Sequence, residues 1–168
     1  MAPFDASSAS TPELLRTYAE VHEALRRRGL MRSTNAPTGD YAAYLFCKAF
    51  GWEQSIDGTL GFDAKDSRGT LYLIRGKRIT RHSSSRELPA IQDLANRPFA
   101  TLAAVLFREE FTVLRAALVP VDVVTANASY SEHARSWRFL LTDAIWAAPG
   151  VSDVTADLQK VAHEESGP

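Results

Sequence analysis

Apolar residues recur at helical spacing near the start of the chain. Intervals of four, three and four residues separate Leu14, Tyr18, Val21 and Leu25. This spacing places the four side chains on one face of a helix. Thr11 and Pro12 fit an N-cap and a first helical residue, and Gly29 is suited to ending the helix. The pattern therefore predicts a first helix between Thr11 and Gly29 that is apolar on one face.

A second helix is predicted from residue 40 to residue 50, with Gly51 ending it. Its apolar side chains surround much of the helix and comprise Tyr41, Tyr44, Leu45, Phe46 and Ala49. A helix that is apolar on most sides is buried on most sides. We therefore expect this second helix to lie centrally in the fold.

Four runs with strand character follow, and turn residues separate them. They cover residues 60 to 64, 71 to 79, 100 to 107 and 111 to 119. The Asp-Ser-Arg-Gly sequence at residues 66 to 69 favours a tight turn, and residues 108 to 110 join the last two runs closely. The pattern predicts two hairpins.

Most of the remaining chain is predicted to be helical. The helical patterns cover residues 85 to 95, 121 to 126, 143 to 148 and 154 to 162. Residues 136 to 141 fit either a strand or a helix. The resulting order is helix, helix, hairpin, helix, hairpin and then mostly helix. This order predicts an α/β sandwich in which helices flank a central mixed sheet.

Length and composition bound the class of protein. The 168 residues fit one domain, which we place at residues 11 to 165 after a flexible leader at residues 1 to 10. No apolar run approaches the roughly 18 to 20 residues that span a bilayer, and the N-terminus lacks the pattern of a secretory signal. Cys47 is the only cysteine, which excludes an intramolecular disulfide. We therefore expect a cytoplasmic protein without a membrane partner.

Positive charge is concentrated in the middle of the chain. The formal net charge of the whole chain is -1. Residues 68 to 97, however, contain seven basic residues against two acidic ones, a net charge of +5. A local basic segment in a nearly neutral chain indicates a local electrostatic surface.

The first predicted hairpin carries the candidate chemistry. Asp63 ends its first strand, and alternation along the second strand places Leu73, Arg75 and Lys77 on one face. Cleavage of a phosphodiester by metal-activated water requires two or three oxygen ligands about 2.1 Å from Mg²⁺, together with a stabilising cation. Asp63 can reach the face that Arg75 and Lys77 share if the hairpin register is favourable.

Several motifs occur in a characteristic order between residues 14 and 158. They are Thr38-Gly39-Asp40-Tyr41, Tyr44-Leu45-Phe46, Gly61-Phe62-Asp63, the run from Ile74 to Arg81, and Ser136-Trp137-Arg138-Phe139. In this order and spacing the chain resembles the restriction-endonuclease-like, or PD-(D/E)xK, superfamily, and within it an uncharacterised bacterial family. The resemblance implies a restriction-endonuclease-like α/β fold.

The resemblance also implies four groups around a metal. They are an acid on the second helix, the Asp of the hairpin, and a Glu or Gln two residues before a Lys. Here the four positions hold Ala43, Asp63, Leu73 and Arg75. The carboxylate of Asp63 is retained, whereas a Leu cannot bind a metal and an Arg cannot readily act as a base. The resemblance therefore implies a nuclease fold in which catalysis is impaired or lost.

An active enzyme is the alternative. In that case Asp63 and Asp40 would bind Mg²⁺, and Lys77, one pleat beyond Arg75 on the same face, would serve with Arg75 as the catalytic cation. Both carboxylates also have ordinary structural interpretations. One is that Asp63 is an acid entering a turn at the solvent edge, and the other is that Asp40 favours the N-terminus of a helix.

The basic segment indicates binding to DNA or RNA. The predicted nucleic-acid-binding residues are Arg75, Lys77, Arg78, Arg81, His82 and Arg86. Phosphate contacts favour Arg, and charges from a strand and its following loop can line one groove. A solvated basic face is the structural alternative. A third hypothesis is a protein-interaction subunit, in which the fold is a scaffold for a homodimer or another protein.

Overall fold

A mixed six-stranded sheet is the centre of the computed structural model, which describes residues 4 to 165. The strand order is β1-β2-β3-β4-β5-β8, and β6 pairs with β7 in a separate ribbon. The strands are β1 Glu53–Gln54, β2 Ala64–Lys65, β3 Leu71–Arg78, β4 Thr101–Phe107, β5 Val113–Pro120, β6 Ser129–Ser131, β7 Ser136–Arg138 and β8 Ser152–Asp153. The prediction of an α/β fold with a mixed sheet is confirmed.

Five α-helices are present among the described residues. They are α1 Thr11–Arg27, α2 Pro37–Phe50, α3 Val121–Asn127, α4 Asp143–Trp146 and α5 Thr155–Glu164. Each corresponds to a helical pattern in the sequence, with α2 beginning three residues earlier than predicted. Within the described part of the chain, no helix has the length and apolar character needed to cross a membrane.

The pairing of β3 with β4 is the only parallel pairing in this sheet as described. It aligns Arg75 with Ala104, and the connection between the two strands runs through residues 79 to 100. Strand β4 is buried from its second residue onward. Its side chains alternate between the two faces of the sheet, so it contributes to the core on both sides.

Two hydrophobic clusters cover the two faces of the sheet. On one face, α2 packs over Ile74 and over Ala103, Val105 and Phe107 of β4, and α5 packs over β5. Gly76 of β3 permits a close approach of α2, because a Cβ at this position would lie 3.0 Å from the Cβ of Ala42 and 3.1 Å from the carbonyl oxygen of Thr38. The second cluster, on the other face, includes Leu73 and residues from the β3 to β4 connection.

The helix predicted for residues 85 to 95 is wrong. Leu88, Ile91 and Leu94 are buried, and their spacing of three residues resembles that of a helix. However, the N–H groups of Leu88 and Ile91 donate to the carbonyls of Phe139 and Trp137, each at 3.0 Å. These tertiary hydrogen bonds replace the helical ones, so the segment is extended and only residues 94 to 96 form a 3-10 turn.

The strand predicted for residues 60 to 64 is also largely wrong, because only Ala64 is in a strand. Gly61 has a φ of 77°, which favours glycine, and a Cβ there would lie 2.7 Å from the Cβ of Pro98. The chain bends at Gly61 instead of continuing as a strand. Residues 136 to 141, which fitted either a strand or a helix, contain the short strand β7.

The N-cap of α1 is Ser10, one residue before the predicted cap Thr11, which is the first residue of the helix. The carboxylate of Glu13 accepts hydrogen bonds from the N–H of Ser10 at 2.8 Å and from its hydroxyl at 2.6 Å. None of the 17 residues of α1 is buried. Part of the predicted leader, residues 1 to 3, lies outside the described residues.

Candidate functional site

Asp63 is held by backbone hydrogen bonds on both sides. The N–H of Ser55 donates to the carbonyl of Asp63 at 2.8 Å, and the N–H of Asp63 donates to the carbonyl of Tyr72 at 2.8 Å. Asp63 therefore lies directly before β2, next to β3. Beyond Tyr72, β3 has no strand partner on this side among the described residues. The carboxylate of Asp63 occupies the beginning of this open edge.

The carboxylate of Asp63 forms an ion pair with Arg75. Its Oδ2 accepts a hydrogen bond from the N–H of Ile74 at 2.7 Å and another from Nη1 of Arg75 at 3.2 Å. The same Nη1 donates to the carbonyl of Ile74 at 2.8 Å. The side chains of Asp63 and Arg75 are 34% and 23% exposed. Partial burial and two hydrogen bonds stabilise this pair more than the typical exposed ion pair.

Two of the positions expected to bind a metal lie in the hydrophobic core. Leu73 is 4% exposed and belongs to the cluster on the face opposite α2. Ala43 is 6% exposed and packs in the cluster beneath α2. Because both side chains are buried in apolar surroundings, these positions contribute packing and no oxygen ligand.

Asp40 stabilises the loop that precedes α2. Its Oδ2 accepts hydrogen bonds from the N–H groups of Arg32 at 3.1 Å and Ser33 at 2.9 Å, and from the hydroxyl of Ser33 at 2.8 Å. Asp40 also lies in the first turn of α2, where a negative charge is favourable. These contacts provide a complete structural role for the carboxylate.

The residues present do not fit a Mg²⁺ site. Within residues 4 to 165, no group of three or more His, Cys, Asp or Glu side chains could hold a metal ion. The carboxylate of Asp63 already faces the guanidinium of Arg75, and a cation bound there would be repelled by this positive charge. The guanidinium of Arg75 is thus adjacent to the position where the metal ion was expected.

Lys77 and Arg78 follow on opposite sides of β3. Lys77 lies near Glu87, where hydrogen bonds from Arg138 hold the pKa of Glu87 below its ordinary value and the charge of Lys77 adds to the effect. The guanidinium of Arg78 lies 4.6 Å from the ring centre of Phe111, in a cation–π contact. Neither Lys77 nor Arg78 forms an ion pair with another described residue.

The turn after β3 presents Arg81 and His82 to solvent. The hydroxyl oxygen of Thr80 accepts hydrogen bonds from the N–H groups of His82 at 3.3 Å and Ser83 at 3.1 Å, which fixes the turn. Arg81 forms an ion pair with Glu109 at 3.2 Å, and the Arg81 side chain is 76% exposed. Such an exposed pair is weak and can exchange for a phosphate.

Arg86 forms its contacts with a different part of the protein, at the start of α4. It pairs with Asp143 at 2.7 Å, and Arg115 joins the same carboxylate oxygen at 3.0 Å. The hydrogen bond from Arg86, followed by that from Arg115, holds the pKa of Asp143 below its ordinary value. Arg86 is therefore engaged in a surface network with α4.

Acidic residues from outside the basic segment neutralise much of its charge. Four of its seven basic residues form ion pairs, namely Arg75 with Asp63, Arg81 with Glu109, Arg86 with Asp143, and Arg97 with Asp122. The local charge of +5 counted along the sequence is thus much smaller in space. Of the three cations of this segment without an ion pair, Lys77 and Arg78 lie at the end of β3 and Arg68 lies in the turn before it.

Cys47 is a neighbour of Asp63 that the sequence did not indicate. Burial raises the pKa of the Cys47 thiol to about 11, with the positive charge of Arg32 opposing this effect and the negative charge of Asp63 adding to it. A thiol with such a pKa is a poor nucleophile at neutral pH. Helix periodicity places Cys47 two turns after Asp40, but its proximity to Asp63 depends on the packing of α2 on the sheet.

Comparison with models of known protein families gives no match for this chain, and comparison with curated protein sequences gives none either. The expected resemblance to the restriction-endonuclease-like superfamily therefore rests on the motifs of the sequence alone.

Proposed function

We propose that this protein is a restriction-endonuclease-like protein that binds nucleic acid at the end of β3 without metal-dependent cleavage. The observation that carries the proposal is the ion pair between Asp63 and Arg75. Where a nuclease would need a carboxylate free to bind a cation, the carboxylate here is paired with a cation of the chain itself.

The charge balance around Asp63 supports the loss of cleavage. The guanidinium of Arg75 supplies a positive charge next to the carboxylate of Asp63, at the place where a nuclease would hold its metal ion. Nη1 of Arg75 donates to the carboxylate of Asp63 and to the carbonyl of Ile74. The role of Arg75 in the proposal is therefore to neutralise Asp63 instead of contacting a phosphate.

Three other cations are better placed to contact a phosphate backbone. Lys77 and Arg78 lie at the end of β3 without an ion-pair partner in the described chain, and Arg81 follows in an exposed turn. They flank the part of β3 whose edge β2 leaves open. Lys77 and Arg78 project from opposite faces of β3 and Arg81 follows in the turn, so the three cations surround the end of the strand. There they can contact neighbouring phosphates, which position a nucleic acid without reading its sequence.

Cleavage is tested with plasmid, single-stranded DNA and RNA in the presence of Mg²⁺ or Mn²⁺. We expect the wild-type protein and the Asp63→Ala variant to give the same background of products. Cleavage by the wild-type protein that the Asp63→Ala variant loses would overturn the proposed absence of catalysis.

Binding is tested by fluorescence anisotropy of labelled single-stranded DNA, duplex DNA and RNA at several salt concentrations. Three phosphate contacts predict a loss of affinity of roughly 40-fold between 50 and 200 mM salt. The triple variant Lys77→Ala, Arg78→Ala, Arg81→Ala should lose most of the affinity and reduce the salt slope by about three.

Arg68→Ala is the matched control. Arg68 is exposed in the turn before β3, at the opposite end of the strand from Arg78. We expect this variant to bind like the wild-type protein. Binding that is independent of salt, or that the triple variant retains, would contradict the proposed surface.

A further inference from the structure

The turn between β4 and β5 contains a strained backbone position. Phe111 has a φ of 65°, in the left-handed region. The N–H of Phe111 donates to the carbonyl of Arg108 at 3.0 Å, and the N–H of Arg108 donates to the carbonyl of Thr112 at 2.8 Å. These hydrogen bonds enclose a three-residue hairpin loop, in which Gly is favoured at the left-handed position. A bulky side chain is unfavourable in this conformation. Phe111 is therefore not explained by the chemistry of the turn.

The ring of Phe111 lies against the side chain of Arg78. The central guanidinium carbon of Arg78 is 4.6 Å from the ring centre, in a cation–π contact. The ring centre of Phe107 is farther away, at 6.3 Å, and the two aromatic rings are tilted by 52°. Phe111 itself is only partly buried. Its closest described ring contact is thus with a cation of the proposed binding surface.

Arg78 lacks the polar contacts that usually fix an Arg side chain. It forms no ion pair with another described residue, and its Nε is buried without a hydrogen-bond partner among residues 4 to 165. A long side chain without a fixed partner loses conformational freedom when it binds a phosphate. A ring packed on the guanidinium orders the side chain in advance and leaves the charge unpaired. Such a contact therefore favours binding of an anion.

The other two cations of the surface have no such support. Within the described part of the chain, cation–π contacts involve Lys48, Arg78 and Arg115, and neither Lys77 nor Arg81. Arg81 instead pairs with Glu109, which lies two residues before Phe111 in the same turn. The β4 to β5 turn thus contacts both Arg78 and Arg81, the first through a ring and the second through a carboxylate.

We propose that Phe111 is a positioning residue, which holds the guanidinium of Arg78 ready to contact a phosphate. This inference rests on the proposed binding of nucleic acid. The strained backbone at Phe111 places the ring over Arg78, and the ring acts on the nucleic acid only through Arg78. The competing interpretation is that the ring only packs the turn against Phe107, in which case any apolar side chain of similar size would serve.

The first experiment compares variants of Phe111 by fluorescence anisotropy of the labelled nucleic acids. Phe111→Leu retains an apolar side chain and the strained backbone but removes the aromatic face. It should raise the dissociation constant by roughly threefold to tenfold. Phe111→Tyr is the matched control, because it retains the ring, and its dissociation constant should stay within about twofold of the wild-type value.

The second experiment is a pair of double-mutant cycles. In an Arg78→Ala background, Phe111→Leu should change the dissociation constant by less than about twofold, because the side chain that it positions is absent. In a Lys77→Ala background, Phe111→Leu should keep its full effect, because Lys77 projects from the opposite face of β3. A role in packing alone would give the same effect in both backgrounds.

The third experiment separates binding from stability. Phe111→Gly suits a positive φ, so relief of the backbone strain should offset the lost contacts of the ring. We expect its affinity to fall as far as that of Phe111→Leu, with a melting temperature lowered by no more than about 4 °C. A larger fall in melting temperature would show that the ring serves the stability of the turn and would contradict the proposed role.

The outcomes distinguish this inference from the proposed function. A wild-type protein without salt-dependent binding would remove both. Wild-type binding that Phe111→Leu retains, or that Phe111→Leu weakens equally with and without Arg78, would overturn the role of Phe111 and leave the proposed surface in place. Weaker binding by Phe111→Leu that disappears in the Arg78→Ala background would support the proposal.

Discussion

Helices α1 and α2 have similar lengths and opposite surroundings. The 17-residue α1 has no buried residue, whereas the 14-residue α2 buries Ala42, Ala43, Leu45 and Phe46. Both sequences are regular helical patterns. A helical pattern therefore determines which residues share a face, but a second surface of matching shape determines whether that face is buried.

The matching surface of α2 is the sheet. Gly76 allows close contact with β3, and Phe46 stacks parallel to Trp52 with ring centres 5.9 Å apart. Lys48 and Tyr44 form hydrogen bonds with Glu165, which joins the C-terminal end of α2 to the end of α5. Between residues 4 and 165, no comparable set of contacts joins α1 to an element of the sheet. Tertiary contacts therefore contribute more to the free energy of folding at α2 than at α1.

Removal of a buried side chain from α2 should have the largest effect. Phe46 is 0% exposed, so Phe46→Ala leaves a cavity and should lower the free energy of unfolding by about 3–5 kcal/mol. Urea denaturation measures the change. The matched variant on α1 is Leu15→Ala, which should change the free energy by no more than about 0.5 kcal/mol. Equal losses in the two variants would remove the contrast between the helices.

Introducing a side chain at the close contact between α2 and β3 should have the next largest effect. Gly76→Val should lower the free energy of unfolding by about 1–3 kcal/mol, because the new side chain meets Ala42 and the backbone of Thr38. Valine itself favours strands, so the loss would arise from the contact with α2. The control is Gly39→Ala in the first turn of α2, where a Cβ meets nothing within 4 Å. It should stabilise the protein by about 0.4–1 kcal/mol.

Loss of the Asp63 carboxylate should have an intermediate effect. Asp63→Ala removes the partner of Arg75 and the acceptor for the N–H of Ile74, and it should cost about 1–2 kcal/mol after allowance for the partial exposure of the pair. Asp63→Asn retains an acceptor and should recover part of the loss. Thermal unfolding of both variants measures these changes. A stability of Asp63→Ala equal to that of the wild-type protein would indicate that the pair contributes nothing net.

The smallest effect is expected where Glu165 joins α5 to α2. Hydrogen bonds from Lys48, and then from Tyr44, hold the pKa of Glu165 below its ordinary value. A lowered folded-state pKa gives stability that is present above the unfolded pKa, about 4.5, and is lost as the pH falls through the folded value. Lys48→Met should therefore reduce stability at pH 7 slightly and flatten its decline below pH 4.5. Denaturation midpoints at pH 3, 5 and 7 measure this difference, and parallel declines in both proteins would contradict it.

Local periodicity predicted most elements because it depends only on the order of the residues. It located α1, α2, α5 and the long strands β3, β4 and β5 with small errors at their ends. The failure at residues 85 to 95 has a specific cause. Apolar residues three apart fit a helix and also fit an extended chain pressed against a neighbour, and only the hydrogen bonds to Trp137 and Phe139 distinguish the two.

At the candidate site, too, some features could be predicted from the sequence and others depend on tertiary contacts. From the sequence alone, Asp63 was expected to reach the face of the hairpin that holds Leu73 and Arg75 if the register was favourable. The sequence also showed that the positions of Leu73 and Arg75 hold no second oxygen ligand. It could not show that Asp63 pairs with Arg75, that Asp40 instead secures the loop at Ser33, or that distant acids neutralise the basic segment.

By itself, then, the sequence determined the residue types, their periodicity and the faces on which they lie. The tertiary structure decided which of those faces are buried, as for α2, and which remain exposed, as for α1. It also decided which charges remain unpaired at the end of β3. The physical reason is that burial and ion pairing act through space between residues far apart in the chain, and a linear pattern contains no distance between them.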